Sequence, residues 1–250
     1  MQDADSLLST YAEVGARAQA ALNAADADAA DNKVWYLRQN RLFERAADDA
    51  IATADSIFKT CLYPKRARVF DQGDPTRVVF LIKRGKVRIT RLTADGKDVT
   101  VAVLGAGDIF GEETLFDDVP RTTHAVCIEE SLLCTAQAED LFALLSRNPI
   151  LALNVAKILN ERLLDASATM EDLAYARVPD RIMNLFERLA AEHGVAAPDG
   201  GTLVDVRLTH ADIASLIGST RETVSLEMAA LIKSGRIAWD GKHVTLPHQA

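Results

Sequence analysis

The sequence predicts an α+β chain: a sandwich or barrel of short strands, then a long helix, then a winged helix-turn-helix. Three observations carry that expectation. Short strand-like runs recur between Leu62 and Ala136, with turn residues between them. Helical character then runs from Ala138 to about Ala176. Near the C-terminus two short capped helices flank Gly218, and an Asp-Gly turn follows.

Composition bounds the function classes. The chain has 250 residues, of which 48% are hydrophobic and 26% charged, enough for packed cores in one or two domains. No apolar run approaches the roughly 18 residues that span a bilayer, and Met1-Gln2-Asp3-Ala4-Asp5 is acidic where a signal peptide is basic. A cytoplasmic protein without membrane contact is expected. Cys61, Cys127 and Cys134 are odd in number and widely spaced, so they read as free thiols filling apolar sites. Net charge is −8, but it is uneven. Residues 1–34 hold six acids and two bases, whereas 207–243 hold five Lys/Arg against four acids, with His210 and His243 in addition. Phosphate affinity follows the local distribution, so the overall acidity does not exclude nucleic acid.

In chain order, four regions are expected. Residues 1–34 are an Ala/Asp-rich extension, with a weak helix over 5–22 and a linker over 23–33. Residues 35–137 form the β domain, opening with short helices at Trp35–Arg45 and Asp48–Thr60. Strands are expected around Val78–Ile82, Val87–Arg91, Val99–Val103, 123–128 and 131–136. Residues 138–177 are helical with an interruption at Asn148-Pro149. There Leu159, Leu163, Ala166, Met170 and Leu173 repeat at spacings of 4 and 3, a seam that suits two helices side by side. A hinge at 175–179 precedes the last region, 178–250.

The segment from Leu208 to Arg236 reads as a helix-turn-helix. Thr209-His210-Ala211-Asp212 has capping-box form. Gly218 permits the positive φ of a tight turn, and Ser219 or Thr220 can cap the second helix. Val224, Met228, Leu231 and Ile232 are expected to face inward. The second helix opens Thr220-Arg221-Glu222-Thr223, the end that would meet base edges in a major groove. Arg pairs with guanine through two hydrogen bonds, and Glu accepts from the cytosine amino group. Ser225 lies one turn on, and a wing around Asp240-Gly241 brings Lys242 and His243 toward phosphate. Double-stranded DNA is the partner this arrangement implies.

A second constellation lies at Gly107–Thr123. Gly111 allows close backbone approach, Glu112 can accept from a sugar hydroxyl, Arg121 offers paired planar donors for phosphate, and Thr122 adds a hydroxyl. A carboxylate for ribose and an Arg for phosphate suit a cyclic nucleotide; Glu–Arg pairing in a surface turn is the plainer alternative.

The stretch from Leu208-Thr209 through Asp212-Ile213-Ala214 to Ile217-Gly218-Ser219-Thr220-Arg221-Glu222-Thr223-Val224-Ser225 closely resembles the cyclic AMP receptor protein/FNR family of bacterial regulators. That pattern usually continues with a basic residue, where this chain has Leu226 and then Glu227. The Gly107–Thr123 segment is similar to the phosphate-binding cassette of the cyclic-nucleotide-responsive members. The resemblance spans roughly 41–247. It implies a β jelly roll of the cyclic-nucleotide-binding type and a homodimer along the helix. It also implies cyclic AMP as effector, a two-fold symmetric DNA site, and RNA polymerase as a partner. By it, Glu112 binds the 2′-hydroxyl and Arg121 and Thr122 the cyclic phosphate, with Glu113 and Thr123 beside them. Ser167 matches a position that approaches the base, and its neighbour Ala166 stands where a hydroxyl residue is usual. The four-cysteine arrangement of FNR-type sensors is not present, and His124 and Cys127 are haem candidates by residue type only. No nucleophile–base motif or metal-ligand spacing is found, so neither catalysis nor a metal is expected. Two other readings stay open: a member active without ligand and controlled by abundance, and a cyclic-nucleotide-binding regulatory subunit that does not act on DNA.

Overall fold

In a computed structural model, the structure describes residues 33–94, 96, 98–116, 119–198 and 200–248. The helix and linker expected over 5–33 thus lie outside the described residues, apart from Lys33. The chain divides into two compact units. One ends at Ile89 and resumes over Val103–Leu159; the other takes Thr90–Ala102 and runs on from Asn160.

Before the sandwich stand helix α1 (Lys33–Gln39), a 3-10 turn (Arg41–Phe43) and helix α2 (Asp48–Ile57). The expected helix to Thr60 is shorter. At Phe58 the backbone turns extended, and β1 (Lys59–Tyr63) begins at once. There follow β2 (Arg68–Phe70), β3 (Val78–Arg84), β4 (Val87–Leu92), β5 (Asp98–Leu104), β6 (Ile109–Phe110), β7 (His124–Cys127) and β8 (Ser131–Gln137). They pair as two four-stranded sheets, β1-β8-β3-β6 and β2-β7-β4-β5. β1 and β3 both run antiparallel to β8, in registers Cys61↔Leu133 and Leu81↔Cys134.

Alternation along β3 gives the first sheet two buried faces. Val79 and Leu81 belong to a core with Leu37, Phe43, Ile51, Phe58 and Leu141 of the flanking helical segments. Phe80 stacks on Phe110 with centroids 4.8 Å apart, and Phe70 from β2 lies 5.8 Å from Phe80. The β5 pattern defies its composition. Val99 and Val101 are exposed while Thr100 between them is buried, its amide donating to the Ser215 hydroxyl.

After β8 come α3 (Ala138–Arg147) and the long α4 (Pro149–Tyr175), bent by 115° at Asn148, as the Asn-Pro pair foretold. Asn154 donates to the carbonyls of Leu42 and Glu44, at 3.0 and 2.9 Å, fixing the first half of α4 to the 3-10 turn. Among the described residues no single helix is long and apolar enough to cross a membrane.

The second unit continues with α5 (Val178–His193), β9 (Gly194–Ala196), β10 (Thr202–Val204), α6 (His210–Leu216), α7 (Arg221–Lys233), β11 (Ala238–Trp239) and β12 (Val244–Leu246). The wing is larger than its Asp-Gly turn suggested. β11 and β12 join β10 and β9 in one sheet ordered β11-β12-β10-β9. Across the 175–179 break, Asp172 near the end of α4 accepts from Asn184 at 2.6 Å and Arg188 at 2.9 Å on α5.

Candidate functional site

The helix-turn-helix is built from local chemistry. Thr209 Oγ1 accepts from the Asp212 amide at 3.1 Å, and Asp212 accepts from the Thr209 amide at 2.9 Å, closing a capping box on α6. Gly218 turns the chain with φ +61°, and a Cβ there would meet Leu173 Cδ2 at 2.6 Å. Thr220, rather than Ser219, caps α7, accepting from the Thr223 amide at 3.2 Å. Arg181 ties α5 to this turn, donating to the Ile217 carbonyl at 2.8 Å.

Val224, Met228 and Leu231 form the buried face of α7. Ile232, expected inside, is 40% exposed. It follows Leu231 by about 100° of helix rotation, which carries it off the face on which 224, 228 and 231 recur. Arg221, Glu222 and Ser225 are exposed, and Thr223 is half-buried with its hydroxyl 2.9 Å from that of Thr220. In the wing, Asp240 accepts from the Lys242 and His243 amides, both at 2.7 Å. Those N–H groups hold its carboxyl below the usual range. Lys242 is exposed, while His243 sits between Asp240 at 3.5 Å and Asp205 at 4.0 Å.

A contact that local patterns did not reveal joins α6 to the wing. The rings of His210 and Trp239 lie 4.5 Å apart, and with Thr209, Ala211 and Arg221 they line a shallow concavity. Burial, and then the Arg221 cation, push the His210 pKa down.

In the sandwich, Gly111 closes β6 in the left-handed region, φ +78°. A Cβ there would stand 2.8 Å from Arg121 Nη1 and 2.9 Å from the Val78 carbonyl. The close approach that Gly111 permits is therefore to the protein's own arginine. Glu112 and Glu113 start a 3-10 turn (Glu112–Leu115), both half-buried. Arg121 is buried to 2% exposure. Its Nη1 donates to the Gly111 carbonyl at 2.9 Å and pairs with Glu113 at 3.2 Å, and its Nη2 donates to the Val78 carbonyl. The guanidinium also lies 4.3 Å over the Phe70 ring. Arg121 Nε is buried with no hydrogen-bond partner. A buried guanidinium with an unused N–H, beside the exposed Thr122 and half-buried Thr123, fits an anionic oxygen ligand such as a phosphate. Ser167, on α4 in the second unit, is exposed and donates to the Leu163 carbonyl at 2.8 Å.

The haem candidates do not form a site. His124 Nδ1 lies 2.9 Å from Asp71, and Cys127 is fully buried, its thiol pushed up to about 11. Among the described residues no group of three metal-ligating side chains occurs.

Comparison with known proteins agrees with both halves. The cyclic nucleotide-binding domain family matches residues 61–148, and the Crp-like helix-turn-helix domain family matches 177–249. The cyclic AMP receptor protein of Thermus thermophilus is 34% identical over 199 residues, 80% of this chain and 88% of that protein. A CRP-like cAMP-activated global transcriptional regulator of Mycobacterium tuberculosis is 31% identical over 206 residues, 82% and 91% of the two chains. The global nitrogen regulator of a Synechocystis strain is 31% identical over 186 residues, 74% and 82% of the two chains. Among solved structures, the c-di-GMP-responsive global regulator CLP of Xanthomonas campestris superposes with a TM-score of 0.70 at 26% identity, covering 81% of this chain and all of that one. These relatives are regulators rather than enzymes, and with its cyclic nucleotide-binding domain and DNA-binding helix-turn-helix the chain belongs to the CRP/FNR family of transcription regulators.

Proposed function

We propose that this regulator is a homodimer whose grip on a two-fold symmetric DNA site is switched by cyclic AMP. The observation that carries the effector reading is Arg121: a buried cation with an unpartnered N–H, set beside Glu112, Glu113, Thr122 and Thr123. Bound cyclic AMP would supply an anionic cyclic phosphate and a ribose hydroxyl. Arg121 and Thr122 hold the phosphate, Glu112 accepts from the hydroxyl, and Ser167 approaches the base. Two relatives carry cyclic AMP in their names, which supports this choice over other cyclic nucleotides.

The dimer reading rests on α4. Leu163 and Met170 are 62% and 60% exposed at the seam positions, an apolar stripe that a second copy would cover. Dimerisation would set two copies of α7 about 34 Å apart, one helical turn of DNA. Arg221, Glu222 and Ser225 then read bases, while Thr209, Thr220, Thr223, Lys242 and His243 serve the backbone. The protein acts in the cytoplasm, next to RNA polymerase.

One observation favours a second reading. Glu113 already gives Arg121 an internal carboxylate, which suits a member active without ligand. Titration calorimetry with cyclic AMP, cyclic GMP and c-di-GMP separates the two. The first reading expects binding of cyclic AMP that Thr122→Ala weakens; no heat with any of them would leave the second.

A further inference from the structure

The recognition helix carries an apolar side chain where its surroundings offer no reason for one. α7 buries Val224, Met228 and Leu231, yet Leu226 is 70% exposed. At about 100° per residue, Leu226 lies about 40° round the helix from Glu222 and about 40° from Ala230 on its other side, close to the point opposite the buried face. Glu222, Ser225, Ala229 and Ala230 are all exposed as well. The centre of the exposed face is therefore a leucine with Ala229 and Ala230 on either side of it, Glu222 one turn before and Lys233 two turns after.

In the major groove each base edge presents donors and acceptors, and a single apolar group, the C5-methyl of thymine. A leucine in place of a long polar side chain has nothing to offer a donor or an acceptor, and leaves one unsatisfied when it covers it. We infer that Leu226 is a specificity-determining residue that packs on the C5-methyl group of a pyrimidine, thymine in unmodified DNA. The inference rests on the reading that α7 lies in the major groove. Leu226 follows Arg221 by five residues, about 7.5 Å along the helix.

The test uses the full chain with cyclic AMP present. A site is first selected from random duplex DNA, and each of its thymines is then replaced singly by deoxyuridine, which lacks only the methyl group. Fluorescence anisotropy is expected to show one position per half-site where uracil weakens binding about fourfold, the scale of one buried methyl. Leu226→Ala, which removes the contact from both half-sites, should bind the thymine site about as weakly as the wild type binds a site with uracil at that position in both half-sites, and should not distinguish the two. Cytosine at that position should bind better when 5-methylated, for the wild type only. Tight binding with no uracil-sensitive position, or a uracil effect that persists in Leu226→Ala, overturns the inference while leaving the DNA reading intact. Absence of binding to any sequence overturns both.

Discussion

Arg121 and Phe70 form a cation–π pair, the guanidinium carbon 4.3 Å from the ring centre, inside the sandwich and far down the chain from each other. The same arginine satisfies the carbonyls of Gly111 and Val78. It is thus a structural member of the core as well as the proposed phosphate ligand. Arg121→Ala should lower stability by about 2–4 kcal/mol, because two carbonyls and the Glu113 carboxylate lose their partner. Urea unfolding measures this, and a midpoint unchanged from wild type would show that Arg121 is dispensable to the core. The exposed Thr122→Ala, expected within about 0.5 kcal/mol of wild type, is the cleaner probe of ligand binding.

Gly218→Ala places a Cβ at φ +61° against Leu173 Cδ2. A stability loss of about 1–2 kcal/mol is expected from the left-handed backbone alone. Leucine tips can move, so Leu173→Ala in the same chain should recover only the steric share and leave the backbone cost. Thermal unfolding of the single and double variants measures both; full recovery in the double variant would remove the backbone strain from the explanation.

His210 is held below its ordinary pKa of about 6.5, first by burial and then by Arg221. A lowered folded pKa contributes stability that is present above the unfolded value and lost as pH falls through the folded one. The helix-turn-helix region should therefore weaken below about pH 6.5, with His210 neutral at pH 7. In an NMR titration, Arg221→Ala should raise the His210 midpoint. An unchanged midpoint would mean that the Arg221 charge does not reach the ring.

Burial pushes all three thiols up, Cys127 to about 11. Few thiolates exist at pH 8, and Cys127 and Cys134 are fully covered. Ellman's reagent should react with these two only as fast as the protein opens. Rapid labelling of either in the native protein would contradict their placement.

The helix-turn-helix was the most legible part of the chain because its determinants are local. Thr209 with Asp212, Gly218, and Thr220 with Thr223 each act within four residues. The β domain was legible as short strands with turns, but its pairing was not. Three-residue β9 and β10 carry no periodic signal of their own and exist through pairing, β9 on β10 and β10 on β12. Val99 and Val101 face outward against their composition, since strand alternation fixes which residues share a face without fixing which face is buried. Arginine at 121 was legible as a paired donor, and in the structure it pairs with the Glu113 carboxylate. That Phe70 and the Val78 carbonyl would also hold it depends on contacts more than forty residues away. His210 against Trp239 is long-range in the same sense.

Cyclic AMP control of DNA binding is tested most directly by anisotropy of a selected duplex titrated with the full-length protein, with and without cyclic AMP. Wild type should bind at least about tenfold more tightly with the nucleotide, within the range typical of allosteric coupling, and Thr122→Ala should lose most of that gain. Equal Kd values with and without saturating cyclic AMP would contradict nucleotide control.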